Sequence, residues 1–113
     1  MVVTGRLVAV GDNVVDRYLD RAIMYPGGNA VNVAVHAKRC GVESAYLGAV
    51  GTDAAGRAVL GALEQEGVDT SLTRVVDGPN AYATVRIVGG NRVFGSGDIG
   101  VSRFRLTPQD LEA

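Results

Sequence analysis

Gly27-Gly28-Asn29-Ala30-Val31-Asn32-Val33-Ala34 is the stretch that decides how this chain is read. Two adjacent glycines let backbone come close to a ligand with no Cβ in the way. Asn29 is the predicted N-cap of a helix formed by the apolar run behind it. The start of a helix presents unpaired N–H groups and partial positive charge, so a polar or anionic ligand can dock there. Asn32 falls in the first turn, and its carboxamide can both donate to and accept from neighbouring hydroxyls of a sugar. Ala30, Ala34, Ala37 and Gly41 recur at roughly helical spacing, which predicts a small-residue face pressed onto a sheet. Lys38 and Arg39 complement the carbonyl end, and Gly41 suits the position just past it.

Working outward, Leu7-Val8-Ala9-Val10 is a short apolar run ending in Gly11, the pattern of a buried parallel strand. Asp12, Asn13 and Asp16 follow at once. Beyond the carboxyl end of such a strand, carboxylates are well placed to accept bonds from ligand hydroxyls; equally, Asp12 and Asn13 suit a simple turn. Arg17 to Tyr25 fits either a strand of a peripheral sheet or an ordinary connection, and Pro26 is expected to end regular structure there. On the other side of the helix, Ala45 to Val50 reads as a second buried strand. Asp53 is the predicted N-cap of a helix over Ala54 to Glu66, with Val59, Leu60 and Leu63 facing the sheet and Gly67 closing it.

Past Leu72 the pattern changes to strands in succession. Asp77-Gly78-Pro79-Asn80 predicts a turn, Ala81 to Val88 alternates, and Gly89-Gly90-Asn91 links it to a returning strand at Arg92-Val93-Phe94. For Tyr82, Arg92 and Phe94, read singly, a core or surface role fits each one. Gly95-Ser96-Gly97-Asp98 reads as a turn. Thr107, Pro108 and Asp110 announce a helix near the end of the sequence, which is expected to continue.

Composition narrows the classes. Hydrophobic residues make up 47% and charged residues 20% of 113, as in ordinary globular chains. A net charge of -1 gives no reason to expect nucleic acid or a membrane surface as partner. One cysteine, Cys40, excludes an internal disulfide and suggests a reducing compartment. With neither a signal-peptide pattern nor an apolar run of spanning length, a cytoplasmic location is expected. His36 has no second ligand at metal spacing.

Gly27-Gly28, Ala30, Asn32, Ala34, Gly41 and Gly51 stand at the spacing of the first signature of the PfkB-type, ribokinase-like sugar kinases. Val50-Gly51-x-Asp53-x-x-Gly56 and Gly67-Val68-Asp69 also resemble that family. Gly11-Asp12-Asn13-x-x-Asp16 and Asn91-Arg92-Val93-Phe94-Gly95 look most like its fructoselysine (fructosamine) kinases. The resemblance implies the N-terminal part of a three-layer α/β/α fold with a small β-strand lid, formed by strands at about 17–25 and 80–96. It implies substrate binding by Asp12, Asp16, Gly27, Gly28, Asn29, Asn32 and Arg92, and a possible homodimer through the lid. It also implies ATP and Mg2+ as needs of the complete enzyme. The family's Asp-Thr-x-Gly-Ala-Gly-Asp loop, with its anion hole and catalytic Asp, is not found in these residues, so no catalytic residue is assigned and the chain alone is expected to be inactive. A non-catalytic sugar- or nucleoside-binding module is the alternative. A dinucleotide-binding fragment lacks support, because Gly27-Gly28 does not follow a buried strand and the Gly-x-Gly-x-x-Gly spacing is missing.

Overall fold

The computed structural model describes residues 5–20, 23–105 and 107–112. The body begins with β1 (Leu7–Val10), paired in parallel with β4 (Ser44–Leu47), Val8 opposite Ala45 and Val10 opposite Leu47. Between them runs α1 (Asn29–Arg39). The predicted strand Ala45 to Val50 is split at Gly48, where the chain leaves β4 and resumes as β5 (Ala49–Val50), parallel to β6 (Arg74–Val75). Asp69 extends β4 on its far side, its N–H donating to Ser44 O and its carbonyl accepting from Tyr46 N–H. α2 (Ala54–Gln65) crosses over between β5 and β6.

Both helices end by the same device. Gly41 N–H donates to Lys38 O and Val42 N–H to Ala37 O; Gly67 N–H donates to Glu64 O and Val68 N–H to Leu63 O. In each case a glycine at positive φ turns the chain so that orphan carbonyls are paired. α2 starts as expected, with Asp53 Oδ1 accepting from Gly56 N–H at 2.9 Å. α1 does not. Its N-cap is Gly28, Asn29 is the first helical residue, and no side chain caps it.

The core gathers Ala9, Val15, Val31, Ala34, Tyr46, Val50, Ala55, Val59, Leu63 and Val68. Val59 and Leu63 are buried as predicted, with Leu60 at the margin. On α1 the buried residues are Val31 and Ala34, with Ala30 and Val35 packed at the margin; the small residues Ala30 and Ala34 do face the core, but they share it with valines, and Gly41 is exposed. β1 is buried on one side only. Ala9 is 6% exposed, whereas Val8 and Val10 point away from it and are 37% and 43% exposed.

The second sheet has the order β3-β2-β7-β8. β2 (Val14–Tyr18) and β3 (Ile23–Gly27) form an antiparallel pair where one segment, Arg17 to Tyr25, was expected; residues 21 and 22 lie outside the described set. Pro26 does not end this structure. It stands inside β3, opposite Val15, and is tolerated because β3 is an edge strand that does not need every N–H for the ladder. β7 (Tyr82–Val88) runs parallel to β2 and antiparallel to β8 (Asn91–Asp98), so Gly95-Ser96-Gly97-Asp98 is strand rather than turn. α3 (Pro108–Glu112) is announced as predicted, with Asp110 reaching back to accept from Thr107 N–H at 2.7 Å; Leu106 lies outside the described residues.

Candidate substrate-binding site

The entrance to α1 is pinned onto the link between β1 and β2. Gly28 has φ 103°, which side-chain-bearing residues rarely adopt. A Cβ there would stand 3.1 Å from both Asn13 Cα and Asp12 O. The close approach brings Asp12, Gly28 and Asn29 together around a cavity of about 290 Å³, completed by Val10, Gly11, Asn13, Val14 and Ala30. No acidic side chain occupies the first turn of α1, so its N–H groups and dipole are uncompensated. Asp12 is exposed, and its Oδ1 accepts from Phe104 N–H at 3.1 Å.

Asp16 enters from β2, opposite Tyr25 on one side and Ala83 on the other. A Cβ on Gly27 would lie 4.0 Å from Asp16 Oδ2, so carboxylate and glycine pair share one corner. Tyr18, two residues along the same face, stacks edge-on against Tyr25 with ring centroids 5.4 Å apart. Tyr18, with a smaller contribution from the Asp16 charge, raises the pKa of the Arg92 guanidinium. Arg92 stands on β8 opposite Ile87 and is exposed. Asn32 is set apart. Its N–H donates to Gly28 O at 3.0 Å, but its side chain lines a more open cavity of about 520 Å³ with Asn29, Val33, His36, Ala37 and Cys40.

Two further cavities flank the outer sheet. One of about 360 Å³ lies between the links and the strands, lined by Asp12, Asn13, Tyr82, Gly97, Asp98 and Ser102 among others. The other, about 380 Å³, lies between the β2–β3 hairpin and the start of α2 and includes none of the predicted site residues. Tyr82 is half-buried, with the Arg17 guanidinium 4.2 Å above its ring, while Phe94 is 60% exposed. Among the described residues no group of three or more His, Cys, Asp or Glu could hold a metal ion.

Beneath the first cavity lies a buried polar cluster that a reading by turns overlooks. Asn13 Nδ2 donates to Ala49 O at 2.6 Å and to Tyr46 Oη at 3.1 Å. Asn13 Oδ1 accepts from Asn80 Nδ2 at 2.9 Å. Asn80 Oδ1 accepts from Gly51 N–H at 3.0 Å, and Asn80 N–H reaches the Asp53 carboxylate at 3.2 Å. Ser102 Oγ accepts from Ala81 N–H at 2.9 Å. Tyr46 Oη donates to Gly11 O at 2.7 Å, and Gly48 leaves it room: a Cβ there would fall 2.1 Å from the hydroxyl. Burial pushes the Tyr46 phenol up to about 12, partly opposed by the Asn13 hydrogen bond. Leaving any of these buried groups unpaired would cost about 1–3 kcal/mol. Asn13 and Asn80 look like turn residues in the sequence. The clue was Tyr46, a phenol inside an otherwise apolar buried strand, which needs a partner for its hydroxyl.

Against known proteins, the family profile described as pfkB family carbohydrate kinase matches residues 5–110. The chain belongs to that family. It is 47% identical to fructosamine kinase FrlD of Bacillus subtilis over 95% of this chain and 39% of the relative. It is 37% identical to fructoselysine 6-kinase of Escherichia coli over 92% of this chain and 40% of the relative. This pfkB-family chain thus spans about two fifths of the length of these curated relatives. Among solved structures, a sugar kinase from Pyrococcus horikoshii in complex with ATP superposes with a TM-score of 0.74 at 28% identity, over 92% of this chain and 37% of that one. The fructokinase from Xylella fastidiosa with bound ATP gives 0.71 at 27% identity, over 80% and 29%. The α/β class and the ribokinase-like architecture expected from the Gly-Gly signature are borne out by these neighbours. No helix among the described residues is long and apolar enough to cross a membrane.

Proposed function

We propose that this chain forms the sugar-binding portion of an ATP-dependent kinase that phosphorylates a hydroxyl of a fructosamine-type substrate, a sugar carrying an amine-linked group. The observation that carries this reading is the meeting of Asp16 with Gly27-Gly28 and the uncompensated start of α1, in a chain 47% identical to a fructosamine kinase. Asp16 accepts charge-assisted hydrogen bonds from sugar hydroxyls, and the backbone at Gly27, Gly28 and Asn29 approaches the ring. Asn32 and Asp12 add polar contacts from the two flanks, and Arg92 closes over the substrate from the outer sheet, which acts as a lid. Held in this way, the acceptor hydroxyl meets the phosphoryl donor already oriented, which is most of what phosphoryl transfer asks of a protein.

ATP is the phosphoryl donor in this reading, and Mg2+ neutralises its phosphates. The nucleotide site, the metal site and the catalytic base are assigned to none of these residues, so the 113 residues alone are expected to turn over no ATP. A homodimer through the lid goes with the same reading, since β8 is exposed along its whole length.

The test uses a chimera in which this chain replaces the matching portion of the Bacillus fructosamine kinase. Asp16→Asn keeps the size but exchanges a pure acceptor for a group that also donates. A charge-assisted bond contributes about 1.5–3 kcal/mol, so sugar kcat/KM is expected to fall about tenfold to hundredfold while the KM for ATP holds. An unchanged sugar term with weakened ATP binding would assign this face to the nucleotide instead.

A further inference from the structure

The chain passes between the body and the outer sheet four times: at Gly11–Asn13 into β2, at Gly28 out of β3, at Val76–Ala81 into β7 and after Asp98 out of β8. All four passages meet at one buried cluster. Asn13 supplies the first, and its Cα is the atom against which Gly28 is pressed at the second. Asn80, fully buried, supplies the third and donates to Asn13 Oδ1 at 2.9 Å. Ser102, also fully buried, supplies the fourth, with Oγ 3.4 Å from Asn13 Oδ1 while accepting from Ala81 N–H at 2.9 Å. On the body side the cluster is fixed to Ala49 O, Gly51 N–H and the Tyr46 hydroxyl, and among the described residues no buried side-chain nitrogen or oxygen lacks a partner.

We propose that Asn13, Asn80 and Ser102 form the pivot that sets the outer sheet against the body, and that they are positioning residues for the substrate site. The inference rests on the sugar-binding reading above, because it concerns how groups from the two parts are brought together. Asp16 and Arg92 stand on the outer sheet, whereas Gly28 and Asn32 stand on the body. Val15 of β2 joins the body's apolar core of Val31, Ala34, Val59 and Leu63, so burial already ties the sheet to the body at one residue. Apolar contact is non-directional, so by itself it would let the sheet swing about the four connecting passages. Directional bonds at one point fix the angle, and each fully satisfied amide permits only one arrangement.

Hydrogen exchange on the 113-residue chain tests the pivot without any sugar. In Asn80→Ala and in the milder Ser102→Ala, amides of residues 82–98 should exchange about tenfold faster, while those of Val59–Leu63 in α2 keep their protection. Ser102→Thr retains the hydroxyl and should restore the native pattern. Equal acceleration in both parts, or no change in residues 82–98, would overturn the pivot. In the chimera the same substitutions should raise the KM for sugar severalfold and leave that for ATP unchanged. Faster exchange of the outer sheet with an unaltered sugar KM would uphold the pivot and overturn the sugar assignment instead.

Discussion

β4 and β8 lie in the same small chain, yet every residue of β4 is buried and every residue of β8 is exposed. The body is held by apolar contact: helices α1 and α2 lay Val31, Ala34, Val59 and Leu63 on short parallel strands. The outer sheet is held by strand pairing within itself, by Val15 of β2 reaching into that core and by polar bonds at its base, with Ile23, Tyr25, Val93 and Phe94 left open to solvent. A part secured by burial is rigid and intolerant of change. One secured at its root can adjust its face to a ligand, or to a second copy, at little cost in stability.

The sharpest way to break this contrast is to excavate both parts. Leu63→Ala removes a fully buried side chain and should cost about 2–5 kcal/mol, whereas Val93→Ala on β8 should stay within about 0.5 kcal/mol. Urea denaturation of the two variants checks this, and comparable losses would erase the distinction. Next comes the junction. Folding holds the Tyr46 phenol protonated to about 12, against 10 when unfolded. Its contribution, on the order of 2–3 kcal/mol, is therefore complete below pH 10 and lost as the pH rises towards 12. The urea midpoint of the native chain should fall over that window more steeply than that of Tyr46→Phe, so that the two curves converge.

Smaller effects sharpen the body's description. Asp53→Ala removes the α2 cap and both oxygens that accept from Asn80 N–H, and should lower stability by about 2 kcal/mol in the same assay. Smallest of all, Arg39→Gln breaks the ion pair between α1 and Glu66 at the C-cap of α2. Both partners are solvent-screened, so the midpoint at neutral pH and moderate salt should not move measurably. Glu66 is held below its usual pKa mainly by its hydrogen bond to Arg39, so any contribution is present at neutral pH and fades on acidification.

What the sequence determined by itself was the set of local decisions. The Gly-Gly signature before an apolar helix, the Asp53 cap and the Gly41 and Gly67 stops depend on neighbours within a few residues, and all three devices stand where their spacing put them. The alternation of Ala81 to Val88 and its glycine hairpin were legible for the same reason. Only the tertiary structure decided the rest. Pro26 could remain in a strand because that strand is an edge, and Gly95–Asp98 became strand because β7 was there to pair with it. Gly28 displaced Asn29 as the cap because the helix start is pressed onto Asn13. Asn13 and Asn80 stand 67 positions apart in a chain whose local pattern gives each the look of a turn. Their partnership is a long-range fact: an amide's burial and bonding are set by what folds over it, and no short window of sequence carries that information.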